Sequence, residues 1–145
     1  MTFIETFDNR LTSIDLSNLT ILEFIHIDHN HLRELDLSHN TALVNSGSGF
    51  VVRNNYIEKI ILPDHEDLTV GMDVYAEQNS KEGYANTEWY LDPEFTMQIQ
   101  GDVQAKGQTI YAKWIPNPYT IRFDAAGGTG TVAPISTTYD EEVVL

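Results

Sequence analysis

Histidines are the residues of this chain whose type most readily suggests chemistry, and most of them lie within the segment "HIDHNHLRELDLSH", residues 26–39. Imidazole nitrogens and carboxylates are common ligands of transition metals. The spacing does not fit a helical zinc site, because no H-E-x-x-H occurs and no two of these histidines are four residues apart. We therefore expect neither a metal site nor a cofactor. The residues considered are His26, Asp28, His29, His31 and His39.

Asp15 and Asp36 form a second candidate pair, since equivalent positions repeat at this spacing, as shown below. Two carboxylates on one face could share a proton, as in glycosidases and acid proteases. An exposed strand face, however, provides no enclosed pocket in which such a pair could work. The chain has no G-x-S-x-G motif, no P-loop and no cysteine. We expect no catalytic residues and therefore no enzyme activity.

Aromatic residues are dense between positions 84 and 114. Large aromatic side chains are often the main core material of a small domain. A carbohydrate-stacking platform is the alternative, and the sequence leaves it open. The residues in question are Tyr84, Trp89, Tyr90, Tyr111 and Trp114.

The overall charge excludes some classes of partner. Eight basic residues oppose 22 acidic ones among 145, which gives a formal net charge of −14. Such a surface repels nucleic-acid phosphates and anionic membranes. No apolar run is long enough to cross a membrane, so we expect no membrane insertion in this segment. No signal peptide is recognisable at its start.

A repeating pattern of aliphatic residues predicts the short strands that position these side chains. One series recurs 21 residues later, and a second recurs after 25 residues, with the extra residues in "NSGSG", 45–49. We expect short strands with alternate side chains stacked inward, each closed by an asparagine that bonds to turn backbone. The first series is Leu11, Ile14 and Leu16, returning as Leu32, Leu35 and Leu37; the second is Leu22, Ile25, Ile27 and Asn30, of which Ile25, Ile27 and Asn30 return as Phe50, Val52 and Asn55.

The pattern L-x-x-L-x-L-x-x-N over residues 11–62 resembles the leucine-rich repeat, in the short form common in bacterial surface proteins. The resemblance implies a solenoid. Leu19 departs from the pattern, because it stands at the place that Asn40 fills one coil later.

Three later phrases are similar to the Listeria–Bacteroides repeat, also called the internalin B-repeat. They are "GYANTEWYLDPEFT" (83–96), "GQTIYAKW" (107–114) and "YTIRFDAAGGTG" (119–130). The resemblance implies a small β-grasp-like fold that occurs in tandem on secreted bacterial proteins. Ala126 stands where an asparagine is usual, and Glu88 where a glycine is usual.

Together these patterns predict a mainly β (α+β) fold with three parts. Residues 1–63 form a leucine-rich-repeat solenoid, 64–116 a B-repeat-like module with an atypical opening, including a strand over Leu68–Tyr75, and 117–145 the opening half of a second module. The short linker around Asn117 cannot bridge two strands of one sheet, so we expect separate units. We also expect Leu145 to be a truncated end.

Both resemblances imply a non-catalytic fragment of a bacterial cell-surface or secreted protein, located outside the cell or in its wall. The repeats would bind a protein or glycan, and the B-repeats would act as a spacer. A purely structural stalk and an accessory module of a surface hydrolase are the alternatives. We expect the binding face to be an outward row of side chains, comprising Asp15, His26, Asp36, Val51 and Ile61.

Overall fold

The computed structural model describes residues 2–44, 50–70 and 81–144, and this part of the chain is mainly β. No helix occurs in it, and so none that could cross a membrane. The strands are β1 (Phe3–Glu5), β2 (Phe24–His26), β3 (Glu34–Asp36), β4 (Phe50–Val51), β5 (Lys59–Ile61), β6 (Asp64–Val70), β7 (Tyr84–Tyr90), β8 (Val103–Lys106), β9 (Thr109–Pro116), β10 (Pro118–Ile121) and β11 (Ile135–Thr138).

The strand predicted over Leu68–Tyr75 begins earlier than expected, because β6 starts at Asp64, directly after the last repeat strand. Its predicted second half lies outside the described residues, as do the insertion at 45–49 and Leu145.

Two ladders of short parallel strands occupy the first part of the chain. One has the order β1-β2-β4, and the other pairs β3 with β5. Phe3 lies beside Phe24, an offset of 21, and Leu35 lies beside Ile60, an offset of 25. The strand register therefore follows the offsets in the sequence.

The side chains that alternate inward from both ladders meet in one core. Ile25, Leu35 and Ile60 are at most 1% exposed. Full burial of such an aliphatic side chain is worth about 1.5–3 kcal/mol. The same cluster extends to Trp89, Ala105 and other buried residues of the second half.

Buried asparagines connect successive segments of the chain, here called coils, each of which begins at a strand of the first ladder. The Asn55 side-chain amide donates to the carbonyls of Ile27 in the preceding coil and of Val52 and Arg53 in its own coil, and its oxygen accepts from the Leu32 N–H at 3.0 Å. Asn30 makes the equivalent set of bonds one coil earlier. Each of these side chains satisfies backbone groups that the tight turn would otherwise leave unpaired.

A left-handed residue precedes each asparagine of this column. The φ angles of Asp8, His29 and Asn54 are 54°, 53° and 51°. Aspartate, asparagine and histidine tolerate this conformation better than most other residues. His29, one of the residues suspected of chemistry, therefore has a structural reason for its type.

Strand β9 joins the repeats to the second half. It pairs antiparallel with β5 on one side and with β7 on the other, which gives a four-stranded sheet of order β3-β5-β9-β7. Ile110 of β9 is fully buried opposite Ile60. This sheet crosses position 63, where we drew a domain boundary, and the division into 1–63, 64–116 and 117–145 stays a prediction.

Strands β10 and β11 form a two-stranded hairpin that contacts the preceding segment around Gly83 and Tyr84. The Tyr139 ring lies directly against Gly83, whose φ is 85°, so a Cβ at this position would overlap the ring. The Tyr84 hydroxyl donates to Asp140 at 2.5 Å, and the Asn117 N–H donates to the Gly83 carbonyl at 2.8 Å.

Candidate binding surface

The five residues of the predicted binding row do not lie in one row. His26 lies beside Val51 in the first ladder, and Asp36 lies beside Ile61 in the second. Asp15 lies outside the strands, in an irregular segment just before the turn at Ser17 and Asn18. The reason is the spacing: a full coil separates ladder neighbours, whereas His26 and Asp36 are only about half a coil apart, which carries the chain from one sheet to the other.

Asp15 and Asp36 are held as anions rather than as a proton-sharing pair. Ser17 and Ser38 lower the pKa of Asp15 and Asp36, respectively, through side-chain and backbone hydrogen bonds. The backbone N–H of Ser17 donates to Asp15 at 3.0 Å, and that of Ser38 donates to Asp36 at 2.9 Å. Each carboxylate thus accepts hydrogen bonds from the turn that follows it in the sequence.

The histidines make local contacts. The Nδ1 of His29 lies 3.2 Å from an Asp28 carboxylate oxygen, and its Nε2 lies 2.9 Å from the Asn54 side-chain nitrogen. His31 stacks on Tyr56, with 5.3 Å between ring centroids. In the described ranges, no three histidine, aspartate or glutamate side chains are grouped so that they could hold a metal ion.

A more extensive surface lies on the outer face of the sheet β3-β5-β9-β7. Strand register aligns Glu34, Lys59, Tyr111 and Tyr90 in one row across all four strands. Neighbouring strands are about 4.8 Å apart, so the row spans about 14 Å. The Lys59 ammonium lies 3.0 Å from a Glu34 carboxylate oxygen. The Tyr90 hydroxyl donates to Glu88 at 2.7 Å, which raises the pKa of Tyr90 and keeps the hydroxyl a donor.

A groove of about 460 Å³ lies over this row. We call its lining the groove face, and it combines charged and aromatic side chains. Its residues are Glu34, Glu58, Lys59, Phe95, Tyr111, Ala112, Lys113 and Trp114. Rings beside lysines and carboxylates suit a ligand that has both apolar and polar parts.

The loop after β7 brings Phe95 to the groove face. Asp92, only 8% exposed, accepts hydrogen bonds from the backbone N–H groups of Thr96 and Met97, the latter at 2.7 Å. Phe95 then adopts a φ of 58° and contacts Tyr90 edge to face at 5.3 Å. The ammonium of Lys113 lies 5.9 Å from the Phe95 ring centroid.

The two tryptophans have different environments. Trp89 is 2% exposed and belongs to the main core cluster, as the core interpretation predicts. Trp114 is half-buried, lines the groove and contacts Tyr84 edge to face at 5.9 Å. Trp89 is thus not available for stacking, whereas Trp114 and Tyr111 are at least partly accessible.

Comparison with protein-family models, curated proteins and solved structures finds no match to this chain. The assignment of a function therefore depends on the geometry described above.

Most of the groove face is absent from the sequence-based set of binding residues. Tyr111 and Lys113 alternate with buried Ile110 and Ala112, so their outward direction was readable from the sequence. The pairing of β9 with β5, which brings Tyr111 beside Lys59, joins residues about fifty positions apart and has no local signal.

Proposed function

We propose that this chain is a non-catalytic binding segment of a bacterial cell-surface or secreted protein, in which leucine-rich-repeat coils lead into a B-repeat-like module. The parallel ladders and the asparagine column support the solenoid part. The phrases at 83–96 and 107–114, which supply β7, the Asp92 loop and β9, support the module. Localisation outside the cell or in its wall is part of the proposal.

The observation that carries the binding function is the continuous row of Glu34, Lys59 and Tyr111, which ends at Tyr90, a residue that is 6% exposed and contacts Phe95. Strands of the repeats and strands of the module contribute side by side to it, so one rigid face extends across both parts. Such faces bind through a few aromatic or long charged anchors rather than through total area. Tyr111 and Lys113 are central to this face, and the partner we propose is a protein exposed at a cell surface.

Binding of the chain to a panel of purified extracellular proteins, measured by surface plasmon resonance, tests the proposal. We expect Tyr111→Ala to weaken a specific interaction by about tenfold or more, and Lys113→Ala to do the same. His26→Ala, on the other ladder, is the matched control and should leave the Kd unchanged. Loss of binding in His26→Ala with normal binding in Tyr111→Ala would place the site elsewhere.

Glycan arrays separate the remaining alternatives. Binding to a defined oligosaccharide that is lost in Tyr111→Ala would favour a glycan ligand at the same face. Failure to bind any protein or glycan would favour the purely structural stalk. A catalytic domain in the same reading frame would favour an accessory module of a surface hydrolase.

A further inference from the structure

Phe95 is held in a backbone conformation that a bulky residue rarely adopts. Its φ of 58° lies in the left-handed region, where a large side chain is strained. The buried Asp92 carboxylate holds the loop in this shape through the N–H groups of Thr96 and Met97. The Phe95 ring nevertheless remains 38% exposed at the groove face. Strain that is retained to display an aromatic ring points to a function of that ring in recognition.

Lys113 carries the one charge of the groove lining that has no ion-pair partner in the described part of the chain. The Glu34 carboxylate lies 3.0 Å from the Lys59 ammonium, and the Glu58 carboxylate lies 2.6 Å from the Arg33 guanidinium. Among the described residues, no carboxylate oxygen lies within 4.0 Å of the Lys113 ammonium. One positive charge therefore remains at the groove of a chain whose net charge is −14, so the groove differs in sign from the chain as a whole.

The Lys113 ammonium is held in place by rings rather than by a carboxylate. It lies 5.8 Å from the Tyr90 ring centroid and 5.9 Å from that of Phe95, within cation–π range. Glu88 is its cross-strand neighbour, but the Glu88 carboxylate accepts a hydrogen bond from the Tyr90 hydroxyl. Because an ammonium has three donors, Lys113 can pair with a carboxylate of a partner while it keeps these ring contacts.

We infer that the groove face recognises an extended peptide segment of its protein partner, in which an aspartate or glutamate stands two positions from an apolar residue. The inference rests on the proposed protein-binding function and specifies its ligand. The acidic side chain would pair with Lys113, and the apolar one would pack on Phe95 and Trp114. Residues i and i+2 of an extended peptide face the same way and lie about 6–7 Å apart, which matches the separation of the Lys113 ammonium from the Phe95 ring.

A phage-displayed library of random heptapeptides, panned against the immobilised full chain, tests the inference. We expect the enriched peptides to carry an acidic residue two positions from an aliphatic or aromatic residue. Panning against Lys113→Glu should instead enrich peptides with lysine or arginine at the acidic position. A merely structural role of Lys113 would not produce this reversal of charge.

Synthetic peptides from the enriched set measure the contribution of each side chain. We expect Lys113→Gln and Phe95→Ala each to raise the Kd by about tenfold, whereas Lys113→Arg, which keeps the charge, should change it by less than about threefold. Lys106→Gln is the matched control and should leave the Kd unchanged, because Lys106 is an exposed lysine on β8, in a different sheet.

Several results would overturn the inference. They are enrichment of basic or uncharged peptides by the original chain, no enrichment at all, an unchanged Kd in Lys113→Gln or Phe95→Ala, and an equal loss in Lys106→Gln. Peptides of the wrong charge that lose binding in Tyr111→Ala would leave the proposed function standing and reject only the acidic ligand. If Tyr111→Ala binds them normally, both fail. Without any enrichment, the panel of extracellular proteins still decides the proposed function.

Discussion

Ile60 and Ile110 lie opposite each other across the antiparallel pair of β5 and β9, and both side chains are fully buried. One belongs to the last repeat coil and the other to the phrase "TIYAKW". The contact covers the outer edge of the second ladder with strand β9. It also fixes the position of Tyr111, the residue after Ile110, beside Lys59 on the groove face.

Removal of the Asn55 side-chain amide should strongly destabilise the fold. Asn55→Ala leaves the Leu32 N–H without its side-chain acceptor and removes one of the two side-chain amides that donate to the Ile27 carbonyl, the other being Asn30; Asn55 itself is fully buried. We expect a loss of about 2–4 kcal/mol in the free energy of unfolding, measured by urea denaturation.

Asn9→Ala is the matched control for this prediction. Asn9 occupies the same column but is exposed, and its side-chain amide donates to Thr6 and Phe7 of its own coil. We expect a loss below about 1 kcal/mol. Equal losses in the free energy of unfolding for Asn55→Ala and Asn9→Ala would show that neither the burial of the asparagine nor its bonds between coils determine the size of the loss.

The Asp92 loop should make stability depend on pH in the acid range. Burial raises the pKa of Asp92, but hydrogen bonds from the Thr96 and Met97 N–H groups outweigh burial and lower it. Because folding lowers the pKa of Asp92, the ionised carboxylate stabilises the fold. This stabilisation is fully present at pH values above the pKa of Asp92 in the unfolded chain, and it is lost as the pH falls below about 4. Between about pH 6 and pH 3, the thermal midpoint of Asp92→Asn should therefore fall less than that of the original chain.

Asp102→Asn, at an exposed position, controls for the general effect of removing a carboxylate. Parallel pH curves for the original chain and Asp92→Asn would contradict the assigned role of Asp92. Reduced ligand binding in Asp92→Asn is expected as well, because this loop holds Phe95 at the groove.

A substitution at Ala126 should stabilise the hairpin formed by β10 and β11. Its φ is 47°, a left-handed conformation that costs an alanine about 1 kcal/mol relative to a residue that tolerates it. Ala126→Asn should raise the free energy of unfolding of the hairpin by up to about 1 kcal/mol, measured by hydrogen exchange at the β10–β11 amides. Ala125→Asn, one residue earlier, is the control and should give no gain.

The offset of 25 predicted from the aliphatic spacing reappears as Ile25 beside Phe50 and Leu35 beside Ile60. The offset of 21 reappears as Phe3 beside Phe24, outside the predicted series, whereas the predicted segment around Ile14 forms no strand. Such positions are readable because each inward side chain meets its own equivalent in the next coil. The prediction that the five outward residues form a single row was wrong. The order of outward residues in the sequence does not show that alternate half-coils belong to different sheets. The groove face depends on the β5–β9 pairing, which only the folded chain reveals.

The most direct test of this account is hydrogen exchange in Ile110→Ala, because the rigid display of one face requires that the repeats and the module unfold together. We expect the slowest amides of the repeats, such as Leu35, and of the module, such as Trp89, to lose the same protection, about 3 kcal/mol. Thr109→Ala, on the same strand as Ile110 and beside Ile61 of β5, should change both far less. Faster exchange at Trp89 with unchanged protection at Leu35 would show that the two parts are independent, and would contradict the account.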